Sequence, residues 1–258
     1  MRTVIIDVGT HKFEELNILF CPSWDEIATL IKITIKKLIG RSDLSFSTIL
    51  NCWYVLLKVP LKGKRKNVKV IALEPNIDVC LKKLKRLKNS LSVIHFPLVS
   101  LGHDYSKKVD IVGLNIYGDS LSSSIYGKNK LSKVDQLFCL GIDFYQFAKM
   151  LFAKEVINRN DKIIIRMNCE GAELGVIKGV SKLINEGCHI LSVMGSLADV
   201  KKIHGAEKYD EMIEILKSHS IDYKFFKGTD VSTWIIGINE TNNVISSKVG
   251  TSNEKPII

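Results

Sequence analysis

Ile163-Ile164-Ile165-Arg166-Met167-Asn168-Cys169-Glu170-Gly171-Ala172-Glu173 is the stretch from which the fold is read: an apolar run, ended by polar groups and a glycine, that leads into a helical pattern over residues 172–184. A strand with one wet face alternates apolar and polar residues, whereas an uninterrupted apolar run belongs to a strand covered on both faces. Residues 3–6, 68–73, 190–194 and 233–238 read the same way. Between these runs, residues 77–87, 172–184 and 209–219 repeat apolar side chains at three and four. The last has Met212, Ile213 and Leu216 on one side and Glu211, Glu214 and Lys217 on the other. Short buried strands alternating with amphipathic helices predict an α/β fold, a doubly wound, largely parallel sheet flanked by helices.

The rest of the chain bounds this reading. Its 258 residues, 46% apolar and 25% charged, have ordinary globular composition and exclude a disordered, collagenous or disulfide-stapled chain. One domain over residues 1–240 is expected, followed by a polar, Ser/Asn-rich tail at 241–258. No apolar run approaches a spanning helix, and Asp7 interrupts the first run too early for a signal peptide, so the expected location is cytoplasmic. Six cysteines without a C-x-x-C pair, and no histidine at ligand spacing, point to reduced thiols and no metal.

Lysine and arginine number 37 against 27 aspartate and glutamate, a net charge of +10 concentrated around residues 62–69 and 82–88. Leu81, Leu84 and Leu87 recur every third residue through the second cluster, so its lysines read as the solvated face of a helix. Neither cluster has the interleaved aromatics of a base-stacking surface, and nucleic acid ranks low as a partner. Residues 21–66 are too long for a plain connection and read as a helical insertion or lid. Ser23 is its expected N-cap. Ile27, Leu30, Ile31, Ile35 and Leu38 are expected on one face, Lys32, Lys36 and Lys37 on the other, and Gly40 at its end. The apolar stretch 49–57 then runs into the lysine cluster, so contact of 49–66 with a membrane surface ranks behind ordinary packing as its reading.

Ligands of a doubly wound sheet bind beyond the carboxyl ends of its strands. After the first run stands Asp7-Val8-Gly9-Thr10-His11-Lys12-Phe13-Glu14. It lacks the later glycines of a dinucleotide fingerprint, and its carboxylate suits a cationic ligand, a sulfonium or an ammonium, better than a pyrophosphate. Glu74-Pro75-Asn76 ends the second run with an acid able to take two hydrogen bonds from a ribose diol; a helix-capping acid is the equal alternative. Val99-Ser100 would flank an adenine ring, and Asn168 and Glu170 stand at the end of the central run.

These blocks, with Ser122-Ser123-Ser124-Ile125, Ile142-Asp143-Phe144-Tyr145-Gln146-Phe147 and Ile177-Lys178-Gly179, resemble in order and spacing the FkbM-type S-adenosylmethionine-dependent methyltransferases over residues 3–240. The resemblance implies a Rossmann-like methyltransferase sheet. Asp7, Gly9 and His11 would lie against the methionine part of S-adenosylmethionine, Glu74 with Pro75 and Asn76 at its ribose, and Val99 and Ser100 at its adenine. It implies O-methylation of a hydroxylated small molecule or glycan, with Glu170 as base or orienting group and Asn168 hydrogen-bonding beside it. Two positions depart from the family: Phe13 stands where it has glycine, and Asn168, which cannot take up a proton, where it has aspartate. A catalytically degenerate binding or scaffold protein is the alternative reading, and an RNA methyltransferase ranks below it.

Overall fold

The computed structural model describes residues 2–10, 16, 24–41, 46, 49–50, 53, 68–75, 84–85, 87–88, 91–97, 99–101, 109–117, 133–195, 198–219 and 222–225. In chain order the strands are β1 (Thr3–Val8), β2 (Val68–Glu74), β3 (Ser92–Pro97), β4 (Val99–Leu101), β5 (Val109–Tyr117), β6 (Lys133–Ile142), β7 (Lys162–Met167), β8 (Ile190–Gly195) and β9 (Asp222–Phe225). The helices are α1 (Trp24–Leu38), α2 (Phe144–Ala153), α3 (Glu173–Asn185), α4 (Ala198–His204) and α5 (Ala206–Ser218).

Six strands form one sheet in the order β3-β2-β1-β7-β8-β9, and every neighbouring pair is parallel. The order steps outward from β1 to β2 and β3, then reverses to run from β7 to β9, so the switch falls between β1 and β7. Each residue of β1 is buried, which is why that strand reads as an apolar run. Val4, Ile6, Val8, Ile165 and Met167 share one core with Phe144 and Phe147 of α2, Ile177 and Val180 of α3, and Met212 and Leu216 of α5. The alternate positions Ile5, Val70, Ala72, Ile164 and Met194 face the other way and are buried as deeply, so the sheet is covered on both sides.

A second sheet, β4-β6-β5, comes from the chain between β3 and β7. β5 and β6 are antiparallel, while β4 runs parallel to β6. The sequence reading contains no such sheet. Its strands bury only one side, with Val112, Leu114 and Cys139 inside and Ile111 and Phe138 exposed; polar residues interrupt β5, and the one apolar run of β6, residues 137–140, is half exposed.

Helix ends follow their glycines. Arg41 donates to the Lys36 carbonyl at 2.8 Å and Gly40 to that of Lys37 at 3.0 Å, with Gly40 at φ +72°, a left-handed C-terminal motif that closes α1 where expected. The expected cap Ser23, the run 233–238 and the tail 241–258 lie outside the described residues. No helix among the described residues is long and apolar enough to cross a membrane.

Candidate functional site at the carboxyl edge of the sheet

The parallel register sets Val8 level with Leu73 on one side and Met167 on the other, so the chain leaves all three strands at one height. The ladder continues one step further: the Gly9 N–H donates to the Leu73 carbonyl and the Asn168 N–H to the Val8 carbonyl, each at 2.9 Å. Gly9 has φ +73°, and a Cβ there would lie 2.2 Å from the Asn168 carbonyl oxygen. This glycine is demanded by the contact between two loops.

Beneath the loops the Arg166 guanidinium donates to the Asp7 carboxylate at 2.9 Å and to the Gly9 carbonyl at 2.8 Å. Both side chains are buried, so the carboxylate expected to face a cationic ligand already has a cation from β7. Next to this pair the Thr10 hydroxyl is fully buried and has no hydrogen-bond partner among the described residues. Glu74 closes β2 and is buried. The ring of His95 hydrogen-bonds the Glu74 backbone, yet burial holds its pKa below the usual histidine value.

The loop after β7 is the most constrained part of the edge. Glu170 has φ +54°, in the left-handed region that L residues seldom occupy, and Gly171 follows at φ +110°. The cause is Glu173. Its carboxylate accepts the N–H of Cys169 at 2.9 Å and of Gly171 at 2.7 Å, the two amides on either side of Glu170. Glu173, the first residue of α3, thus reaches back to the loop that precedes its own helix, and Ala172 at the N-cap offers no side-chain acceptor. Burial pushes the Glu173 carboxyl up to about 7, against the pull of its backbone hydrogen bonds. Burial, then the charge of Glu173, pushes the Cys169 thiol well up, which removes it as a nucleophile at neutral pH. The Gly171 carbonyl lies 2.9 Å from His204 Nε2; a carbonyl only accepts, so Nε2 carries the proton.

Asp7, Gly9, Glu74, Pro75, Asn168 and Glu170 thus share one edge of three adjacent strands. Val99 and Ser100 stand in β4, opposite Leu140 and Gly141 of β6, and β4 touches β2. His11, Asn76, Phe13 and residues 122–125 lie outside the described residues. Asp143 caps α2, accepting the Gln146 N–H at 3.0 Å. Sequence reasoning passed over Arg166, Glu173, His204 and Thr10. The first carried a signal: a charge inside a strand buried on both faces requires a counter-charge, and Asp7 is the one acid in β1.

Compared with protein-family models, curated proteins and solved structures, the chain matches none.

Proposed function

We propose that the chain is a cytoplasmic S-adenosylmethionine-dependent methyltransferase on a Rossmann-like, doubly wound sheet, acting on a hydroxyl of a sugar, glycan or small molecule. One observation carries the reading. The blocks that resemble FkbM-type enzymes, Asp7-Val8-Gly9, Glu74-Pro75 and Asn168 to Glu173, end three adjacent parallel strands beside the point where the strand order reverses, which is where open α/β sheets take ligands.

The residues fit the cofactor. Glu74 offers two acceptor oxygens to a ribose diol, and the orphaned Thr10 hydroxyl can donate to a carboxylate or accept from an ammonium, as the methionine end requires. When bound, the cofactor supplies a methyl group on a positively charged sulfur. Glu170 receives the proton of the acceptor hydroxyl or orients that hydroxyl, and Asn168 hydrogen-bonds beside it. Glu173 holds Glu170 in its left-handed conformation, a cost of about 1–2 kcal/mol that ordinary turns avoid and functional loops retain. Arg166 offsets the charge of Asp7, one of four acids, with Glu74, Glu170 and Glu173, that the edge carries.

Calorimetric titration with S-adenosylmethionine and S-adenosylhomocysteine, with NAD as control, tests the reading. Micromolar binding of the first two alone supports it. Glu74→Ala then weakens binding at least about tenfold, while Glu170→Ala spares binding and lowers turnover. Absence of binding, or binding of NAD alone, overturns it. A second reading, a methyltransferase-like binding protein without turnover, has Asn168 in its favour, since an amide takes up no proton. Cofactor binding with no transfer to any hydroxylated acceptor separates the two.

A further inference from the structure

α1 carries two stripes, and only one of them meets the protein. Ile27, Leu30, Thr34 and Lys37, spaced three and four apart, form the inner stripe: Leu30 is buried and the other three are half-buried. The Trp53 indole donates to the Thr34 hydroxyl at 3.0 Å, and that hydroxyl donates to the Leu30 carbonyl at 2.8 Å, which fixes the rotation of the helix about its axis. The neighbouring stripe, also spaced three and four, is Trp24, Ala28, Ile31, Ile35 and Leu38. It is exposed: Trp24 at 83%, Ile31 at 42%, Ile35 at 52% and Leu38 at 66%. Sequence spacing places Ile27, Leu30, Ile31, Ile35 and Leu38 on one face. The structure divides them and turns most of the apolar surface outward.

The row beside the exposed stripe holds Asp25 at its amino end and two lysines further on. Lys32 and Lys36 lie beside it and are exposed, as is Arg41 just past the helix end. Residues 24–66 hold nine lysines and arginines against three carboxylates, most of the excess behind the net charge of +10. A row of large apolar groups exposed alongside cations matches a surface with acyl chains beneath and negative charge above. A protein partner supplies the first without requiring the second, and nucleic acid supplies only the second.

We propose that α1 is a membrane-surface helix that lies flat on an anionic lipid bilayer, inserting Trp24, Ile31, Ile35 and Leu38 among the acyl chains, with Lys32, Lys36 and Arg41 at the headgroups. Its 15 residues span about 22 Å, shorter than the hydrocarbon core of a bilayer, and three lysines interrupt it, so it rests on the surface and does not cross. The inference is independent of the catalytic reading, since it uses no residue of the sheet edge.

Flotation of the full chain with vesicles tests it, comparing phosphatidylcholine alone with phosphatidylcholine containing phosphatidylglycerol. The chain is expected to float with the anionic vesicles and to remain behind with the neutral ones. The double variant Ile31→Glu/Ile35→Glu loses on the order of 100-fold in binding, and Lys32→Glu/Lys36→Glu on the order of tenfold. All four positions are exposed, so thermal melting of both variants is expected to match the parent. Brominated lipid in the anionic vesicles quenches the parent fluorescence, and Trp24→Phe removes that quenching while Trp53→Phe keeps it. Failure of the parent to float overturns the proposal, as does flotation untouched by either double variant. So does a dimer in sedimentation that Ile31→Glu/Ile35→Glu dissociates, which assigns the face to a second copy.

Discussion

The two ends of the β1/β7 pair carry the same ion pair in opposite sense. At the amino end Arg2, just before β1, donates to Asp161, just before β7. At the carboxyl end Asp7 of β1 accepts from Arg166 of β7. The first pair keeps contact with water, and Asp161 also takes the Asn158 N–H at 2.8 Å while Arg2 reaches the Val156 carbonyl at 3.1 Å. The second is enclosed on all sides. A pair with one partner still in water loses less to desolvation, whereas a fully enclosed pair costs more and becomes a severe liability once half of it is removed. The contrast lies in the guanidinium: at the carboxyl edge both partners are enclosed and the Thr10 hydroxyl is orphaned, whereas at the amino edge Asp161 is buried but Arg2 reaches water, and each edge holds one left-handed residue, Glu170 at φ +54° and Glu155 at φ +55°.

Removing half of the enclosed pair has the largest expected effect. Asp7→Ala destabilises by about 3–5 kcal/mol in denaturant unfolding, and Asp7→Leu combined with Arg166→Met recovers most of that loss; a double variant as unstable as the single one breaks the comparison. Next is Gly9→Ala, at about 3 kcal/mol, because the added methyl meets backbone in a left-handed conformation. Gly40→Ala, with nearly the same φ and nothing near its Cβ, costs about 1 kcal/mol and isolates the conformational part.

Glu173 sharpens the comparison through pH. Its folded carboxyl titrates at about 7 and its unfolded one at 4.5, so the folded state holds the proton more tightly. That contribution is full below pH 4.5 and is lost as pH rises through about 7. Against Glu173→Gln, the parent is expected to lose about 2–3 kcal/mol between about pH 5 and about pH 8, read from unfolding midpoints; a flat difference removes the buried charge from the account. The amino-end pair completes the series: Arg2→Ala costs about 1–2 kcal/mol, less than Asp7→Ala because the buried Asp161 keeps the Asn158 N–H.

Strands covered on both faces were legible because a polar residue in them needs a buried partner, so apolar residues dominate and run together. The expected 68–73 and 190–194 became β2 (Val68–Glu74) and β8 (Ile190–Gly195), each longer by one residue at its carboxyl end. The β4-β6-β5 sheet was not legible, since a strand with one wet side and a Gly or Asp within it resembles a loop. At the edge, Gly9 and Glu170 stood out as local features of a turn. The Asp7–Arg166 bond did not, because its partners are 159 residues apart: the charge inside each apolar run asks for a partner, and only the pairing of β1 with β7 says which. Helix α1 was legible as a helix, but its rotation was not: periodicity marks the apolar side, and the Trp53–Thr34 bond decides which part of that side faces inward.

The central place of β1 has a consequence for how the chain is made. Thr3 pairs with Lys162 and Val8 with Met167, so β1 emerges from the ribosome long before β7 exists. At about 5–20 residues per second of synthesis, the interval is on the order of 8–30 seconds. Throughout it one edge of Val4-Ile5-Ile6, later fully buried, has no neighbour to pair with. The sheet closes from its middle only when synthesis has passed residue 167, and until then the nascent chain presents an open apolar strand to whatever first meets it.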